Sequence, residues 1–295
     1  MIRRAILMLT LAALLAGSAL AVEVARDDKG EAGKKPTVGE IVEKANRVAY
    51  YQGADGKADV KMTIKDKGGK KRTREFTILR WDKPDPLKKT PPKGAKKDSE
   101  KPGDSYCGDQ KFYVYFSKPA DVAKMVFMVW KHIGKDDDRW LYTPALDLVN
   151  RIAASDERTS FVGSDFYYED VSGRGTDEDR HELVETTGHY YVLKSTPRDP
   201  KKVEFAHYKM FIHKKSFVMV KTEYFDKKGK KYREYQALGV KTIQGYPTVT
   251  KSVMRDLRAG SETTLEYSDV KYNAGLPEKV FTERYLKRKP RKYLK

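Results

Sequence analysis

The strongest constraint on how this chain folds is a period of two. Val60, Met62 and Ile64 alternate with Lys61, Thr63 and Lys65. Successive side chains of an extended segment point to opposite faces, so this stretch has one apolar and one wet side. A turn at Asp66-Lys67-Gly68-Gly69 followed by Phe76-Thr77-Ile78-Leu79 makes it an antiparallel hairpin. Further strands are predicted at Lys111–Ser117, Lys124–His132, Arg139–Tyr142, Tyr190–Ser195, Val203–His213, Phe217–Phe225, Lys231–Leu238, Thr248–Leu257 and Thr263–Tyr272, with hairpin turns at His213–Ser216 and Asp226–Gly229. Strands so spaced form a meandering antiparallel sheet, and about ten in one sheet must curl or close. Met125–Trp130 is apolar on both faces, which predicts a strand covered from both sides.

One helix is predicted before the strands. Thr37 and Glu40 form an S/T-x-x-E capping box, Ile41, Ala45 and Val48 share a face, and Gly53, Asp55 and Gly56 end the segment after Tyr51. Residues 1–21 have the order of a secretory signal peptide: Arg3 and Arg4, an apolar run Ala5–Leu15, then small residues at Ala19 and Ala21. Cleavage is expected before Val22, with export to the periplasm. The chain then divides into a charged leader at 22–36, a single domain at 37–286 and a basic tail at 287–295. Within the domain, residues 82–109 carry five Pro and seven Lys, too polar to bury surface, and are expected to be a disordered excursion between two strands.

Composition narrows the function. Of 295 residues 11% are aromatic, 19 of them Tyr, enough for a core. The net charge is +18; export argues against nucleic acid as the partner and leaves anionic lipid headgroups or solubility. Arg284 to Lys295 holds seven basic residues and no acidic one, which makes the tail the candidate membrane contact. A single Cys, Cys107, excludes an internal disulfide and a Cys-based zinc site. The five His have no metal-binding spacing, Asp136-Asp137-Asp138 lacks the Gly and distal Glu of a calcium loop, and Ser164 stands outside any G-x-S-x-G elbow. Asp165, Glu169 and Asp170 are close in sequence but have no recognisable catalytic partner. The reading is a protein that is not an enzyme and uses no cofactor or metal.

One stretch is more specific. Arg139-Trp140-Leu141-Tyr142-Thr143-Pro144-Ala145-Leu146 runs into Val149-Asn150-Arg151-Ile152, then Ser160-Phe161-Val162-Gly163-Ser164-Asp165-Phe166-Tyr167-Tyr168-Glu169-Asp170. This resembles the signature of the outer-membrane lipoprotein-sorting protein family, the LolA-like periplasmic carriers, in the branch associated with RND/MMPL-type exporters. Phe116-Ser117-Lys118-Pro119-Ala120-Asp121-Val122 and Tyr272-Asn273-Ala274-Gly275-Leu276-Pro277 also match; Asn150 replaces a usual Arg. The resemblance spans about Val38 to Leu286. It implies a mainly β fold with a few helices: a curved antiparallel half-barrel closed by helices, whose apolar concave face shields the acyl chains of a lipid or lipoprotein beside an inner-membrane transporter. The same fold without cargo would serve as a sensor or adaptor of a membrane protein. Candidate wall residues are Met62, Ile64, Phe76, Ile78, Met125, Phe127, Val129, Phe211 and Met219. Among the motif residues, Trp140, Phe161, Phe166 and Tyr168 are expected in the core, Gly163 at a positive φ, Asp165 as a turn cap, and Arg151 paired with Glu169 or Asp170. Tyr142, Pro144 and Ser164 complete the motif set.

Overall fold

The computed structural model describes residues 35–84 and 106–294. The expected signal peptide, the expected leader up to residue 34 and residues 85–105 of the Lys- and Pro-rich stretch lie outside the described residues.

The helix is where the capping box places it. Helix α1, Val38–Tyr50, starts at Thr37, whose side chain accepts from the Glu40 amide at 3.3 Å while the Glu40 carboxylate accepts from the Thr37 amide at 2.6 Å. Thirteen strands follow: β1 Asp55–Lys65, β2 Lys71–Pro84, β3 Tyr106–Lys118, β4 Val126–Lys131, β5 Asp138–Thr143, β6 Leu148–Ile152, β7 Asp179–Thr186, β8 Tyr190–Pro197, β9 Phe205–His213, β10 Met219–Asp226, β11 Lys231–Ile243, β12 Tyr246–Asp256 and β13 Ser261–Tyr272. All belong to one antiparallel sheet, ordered β6-β5-β4-β3-β2-β1-β13-β12-β11-β10-β9-β8-β7. The pairing of β1 with β13 joins two meanders into one surface whose edges, β6 and β7, stay apart.

These two edge strands escape the sequence pattern. Most side chains of β6 and β7 are exposed or half-buried, so neither carries the apolar alternation that marks the interior strands. The proposed loop at 82–109 is corrected at both ends. Strand β2 runs on through Pro84 and β3 starts at Tyr106, with Asp82 opposite Gln110. These residues are polar because they fasten the end of α1. Arg80 and Gln110 donate to the Tyr50 carbonyl at 2.7 and 2.8 Å, and Gln110 donates to Asp82 at 2.8 Å. The orphan carbonyl of a helix C-terminus is thereby satisfied by a cation and an amide.

Burial pushes the Asp82 carboxyl from 3.8 up to about 6, against the pull of Arg80 and Gln110. The folded chain thus binds this proton more readily than the unfolded one. The resulting stabilisation is complete below pH 4 and fades as pH rises through 6. Between pH 5 and 7.5 this contributes roughly 1–1.5 kcal/mol. Thermal melts are expected to show an Asp82→Asn variant with a flatter pH profile than the wild type over that range; parallel profiles would refute the assignment.

Both faces of the first half of the sheet are covered, as the doubly apolar Met125–Trp130 stretch requires. Phe127 and Val129 join an inner cluster with Met62, Phe76 and Phe116. Val126 and Met128 join an outer cluster with Leu79, Tyr113 and Trp140. The outer cluster is covered by the C-terminal segment: Val280, Phe281, then Leu286 of the short helix Arg284–Lys287, then Tyr293 and Leu294. The stretch set apart as a tail at 287–295 therefore continues the packing of the domain, because its basic run leads into the apolar pair Tyr293-Leu294. In the other half, Ile41, Val42 and Ala45 of α1 pack on Leu193, Met210 and Ile212.

Candidate functional site

The inner face encloses a cavity of about 310 Å³. Its floor is apolar: Val60 and Met62 of β1, Phe76 and Ile78 of β2, Phe112 and Val114 of β3, Tyr235 of β11, Met254 of β12, Leu265 and Tyr267 of β13. Val48, Ala49 and Tyr50 of α1 cover one side, Phe161 and Phe166 another. Residues of β3 and β10 meet the same cavity, yet six strand spacings separate them, roughly 29 Å in a flat sheet. The sheet must be curved to bring them together, and the helix and the Phe161–Phe166 turn close the trough.

Four of the nine candidate wall residues, Met62, Phe76, Ile78 and Met219, line this cavity. Ile64, Met125, Phe127 and Val129 belong to the inner core cluster but lie outside the cavity lining. Phe211 is corrected: it pairs with Val192 and Lys221 while its neighbours Met210 and Ile212 pack under α1. Strand alternation puts it on the opposite face, where the Lys221 ammonium lies 5.3 Å from its ring.

The motif, continuous in sequence, occupies two places. Its first half lies at the outer face: Trp140 packs 4.9 Å from Trp130, Pro144 opens a tight turn at Pro144–Leu146, and the Tyr142 hydroxyl donates to Asp147 at 3.1 Å. Arg151 stays there too. It pairs with Asp138 and stacks 5.3 Å over Trp140, so the expected pairing with Glu169 or Asp170 is overturned, because β6 leaves Arg151 on the solvated face of the edge.

The second half of the motif folds over the cavity. Val162 and Gly163 both have positive φ, +51° and +74°, and the Ser164 amide donates to the Phe161 carbonyl at 3.1 Å. This is a tight turn with both central residues left-handed, costly for a β-branched Val. The Ser164 hydroxyl holds it by donating to the Phe161 carbonyl at 2.7 Å. The turn presents Phe161 to Phe76, Phe116 and Phe127 with ring centroids 5.5–6.3 Å apart. Trp140, Phe161, Phe166 and Tyr168 are all buried. Asp165 does not cap the turn; its carboxylate accepts from Ser261 and Thr263 of β13, tying the turn to the sheet.

Three arginines that sequence reasoning missed neutralise the acidic end of the motif. Arg233, 1% exposed, pairs with Asp170, donates to the Asp165 carbonyl at 2.9 Å and stacks 3.8 Å over Tyr167. Arg158 pairs with Glu169 and grips Glu204 with two hydrogen bonds at 2.7 and 2.8 Å. Arg174 bridges Glu169 and Asp179, each at 3.0 Å. Burial alone would raise Glu204, but Arg158 overrides it and holds the carboxyl down at about 2. The available signal was Arg233 at an inward position of an alternating strand, which demands a buried acid. With every acidic group of the motif engaged, the cluster fixes shape. Among the described residues no group of three or more His, Cys, Asp or Glu is arranged to hold a metal ion.

The antiparallel sheet, not closed into a barrel, is like that of solved LolA-superfamily structures. A family model described as an uncharacterized protein matches residues 108–288, and the chain belongs to this DUF1329-like family. A DUF1329 family protein from Desulfovibrio piger is 27% identical, with TM-score 0.70 over 84% of this chain and 98% of that one. A putative outer membrane lipoprotein-sorting protein domain from Vibrio parahaemolyticus is 25% identical, with TM-score 0.69 over 84% and 97%. A LolA superfamily protein from Nitrosomonas europaea shares the fold at 19% identity, with TM-score 0.61 over 85% and 100%. Among curated proteins none matches this chain in sequence.

Proposed function

We propose that this protein is a periplasmic carrier that shields the acyl chains of a lipid or lipoprotein in its inner cavity, receiving or delivering them beside a membrane transporter of the RND/MMPL type. The observation that carries this reading is the cavity with an apolar floor on the inner face, whose volume of about 310 Å³ stands at the lower end of the range for ligand pockets. Burial of acyl methylenes contributes ~0.8 kcal/mol each, so a chain seated there needs no strong polar contact. The signal-peptide pattern and the relative described as a lipoprotein-sorting domain support the compartment and the cargo class. No catalytic role is assigned, since the motif carboxylates are engaged in structural ion pairs (Glu169, Asp170) or hydrogen bonds to β13 (Asp165). Native mass spectrometry with organic extraction of protein purified gently from the periplasm tests the reading. A stoichiometric amphiphile is expected. Repeated absence of one, with no uptake of fluorescent acyl probes, would overturn it in favour of a cargo-free adaptor.

A carrier must also meet a bilayer, and one surface is suited to that. Leu146 and Leu148, 71% and 43% exposed, stand on the β5–β6 turn, and Lys287 pairs with Asp147 between them at 2.9 Å. Lys287 is thus held beside two bare leucines, in a segment rich in basic residues. Each cation near an anionic surface contributes ~1 kcal/mol. Reversing Lys287 and Lys289 to Glu is expected to weaken partition onto vesicles rich in phosphatidylserine at least tenfold in sedimentation assays, with little change on phosphatidylcholine. Equal binding by the variant would sink the contact.

A further inference from the structure

A second, smaller cavity of about 100 Å³ adjoins the first, and Ala49, Tyr50, Asp170, Met219, Thr222 and Tyr224 line both. Tyr50, Asp170, Thr222 and Tyr224 thus bring polar side chains to the junction of the two cavities. Thr222 is only 2% exposed, and its Oγ1 has no hydrogen-bond partner. A buried hydroxyl left unpaired is costly and rare, and Thr222 lines both cavities. Burial raises the Tyr50 and Tyr224 hydroxyls well above their ordinary range, so both stay neutral and able to donate.

The charges at this junction are already matched. Arg233 answers Asp170, Arg158 answers Glu169, and Arg174 answers Glu169 and Asp179. The remaining ionisable ring, His181, is engaged by Ser195 and the Thr176 carbonyl. A charged ligand head placed here would lose its hydration without gaining a free counter-charge. A neutral head that both donates and accepts hydrogen bonds would pair Thr222 and disturb none of the ion pairs.

Resting on the carrier reading, we infer that the cargo is an amphiphile with an uncharged, hydroxyl- or carbonyl-bearing head, which seats against Thr222 and Tyr50 while its hydrocarbon fills the larger cavity. The larger cavity is also lined by half-buried Lys57 and exposed Lys271, which would attract an anionic head instead; the experiment separates the two kinds of head.

Displacement of a fluorescent acyl probe from the purified protein at pH 7.5 by 1-dodecanol, dodecanoate and dodecylammonium provides the test. Dodecanol is expected to bind at least tenfold more tightly than either charged homologue. Thr222→Val should reduce dodecanol affinity three- to tenfold and leave the charged homologues unchanged, while Thr222→Ser, which keeps the hydroxyl, should retain the preference. Dodecanoate binding as tightly as dodecanol, or a Thr222→Val variant with undiminished preference, would overturn the head assignment and leave the carrier reading standing. If none of the three amphiphiles displaces the probe, or the probe itself fails to bind, the carrier reading fails first.

Discussion

A Leu265→Trp chain is expected to fold and to lose at least tenfold in affinity for acyl probes. Leu265 lies on β13 opposite Met62 and Ser252 and lines the cavity. Enlarging a side chain in a tightly packed core costs about 1–3 kcal/mol, but here the indole has space to enter. The added ring takes the volume an acyl chain would occupy, so binding falls while the melting temperature changes by only a few degrees. Phe211→Trp is the matched control: the same kind of enlargement on the opposite face should leave affinity unchanged. Titration of both variants with a fluorescent fatty-acyl probe decides the matter. Undiminished affinity in the Leu265 variant would remove the cavity as the binding site.

The second large effect concerns the clasp that closes the cavity. Arg233→Met leaves Asp170 without its charge partner and the Asp165 carbonyl without its donor. Removing one partner of a buried pair typically costs about 3–5 kcal/mol. For a domain of this size that lowers the melting temperature by about 6–20 °C. Arg151→Met provides the contrast. Its side chain is 66% exposed, and an exposed pair is worth about 1 kcal/mol or less. Thermal denaturation of both variants is expected to separate them clearly. Similar small losses would mean that the Arg233 cluster is dispensable to the fold.

Much of the architecture was legible in single segments. The Thr37–Glu40 box placed the start of α1, the alternation at Val60–Ile64 and Phe76–Leu79 located the β1–β2 hairpin, and the doubly apolar Met125–Trp130 run announced a strand covered on both sides. The aromatic motif residues were recognisable as core. The edge strands β6 and β7 were not, since a solvated edge needs no apolar period. Asp82 looked like a loop residue because its polarity serves a distant helix end. Arg151 looked like the partner of the motif acids because it is near them in sequence, but β6 holds it on the outer face while the chain carries Glu169 and Asp170 around the edge to the inner one.

What the sequence determined by itself was therefore local: strand and helix periods, caps, turns and the family signature, each arising from residues within a few positions of one another. Only the tertiary structure decided which face of the sheet encloses the cavity, that Phe211 lies outside it, that Arg158, Arg174 and Arg233 neutralise the motif, and that Thr222 is left unpaired at its junction. Each of these depends on the curvature of the sheet and on the pairing of β1 with β13. Strand alternation separates the two faces, but curvature chooses which one becomes the inside.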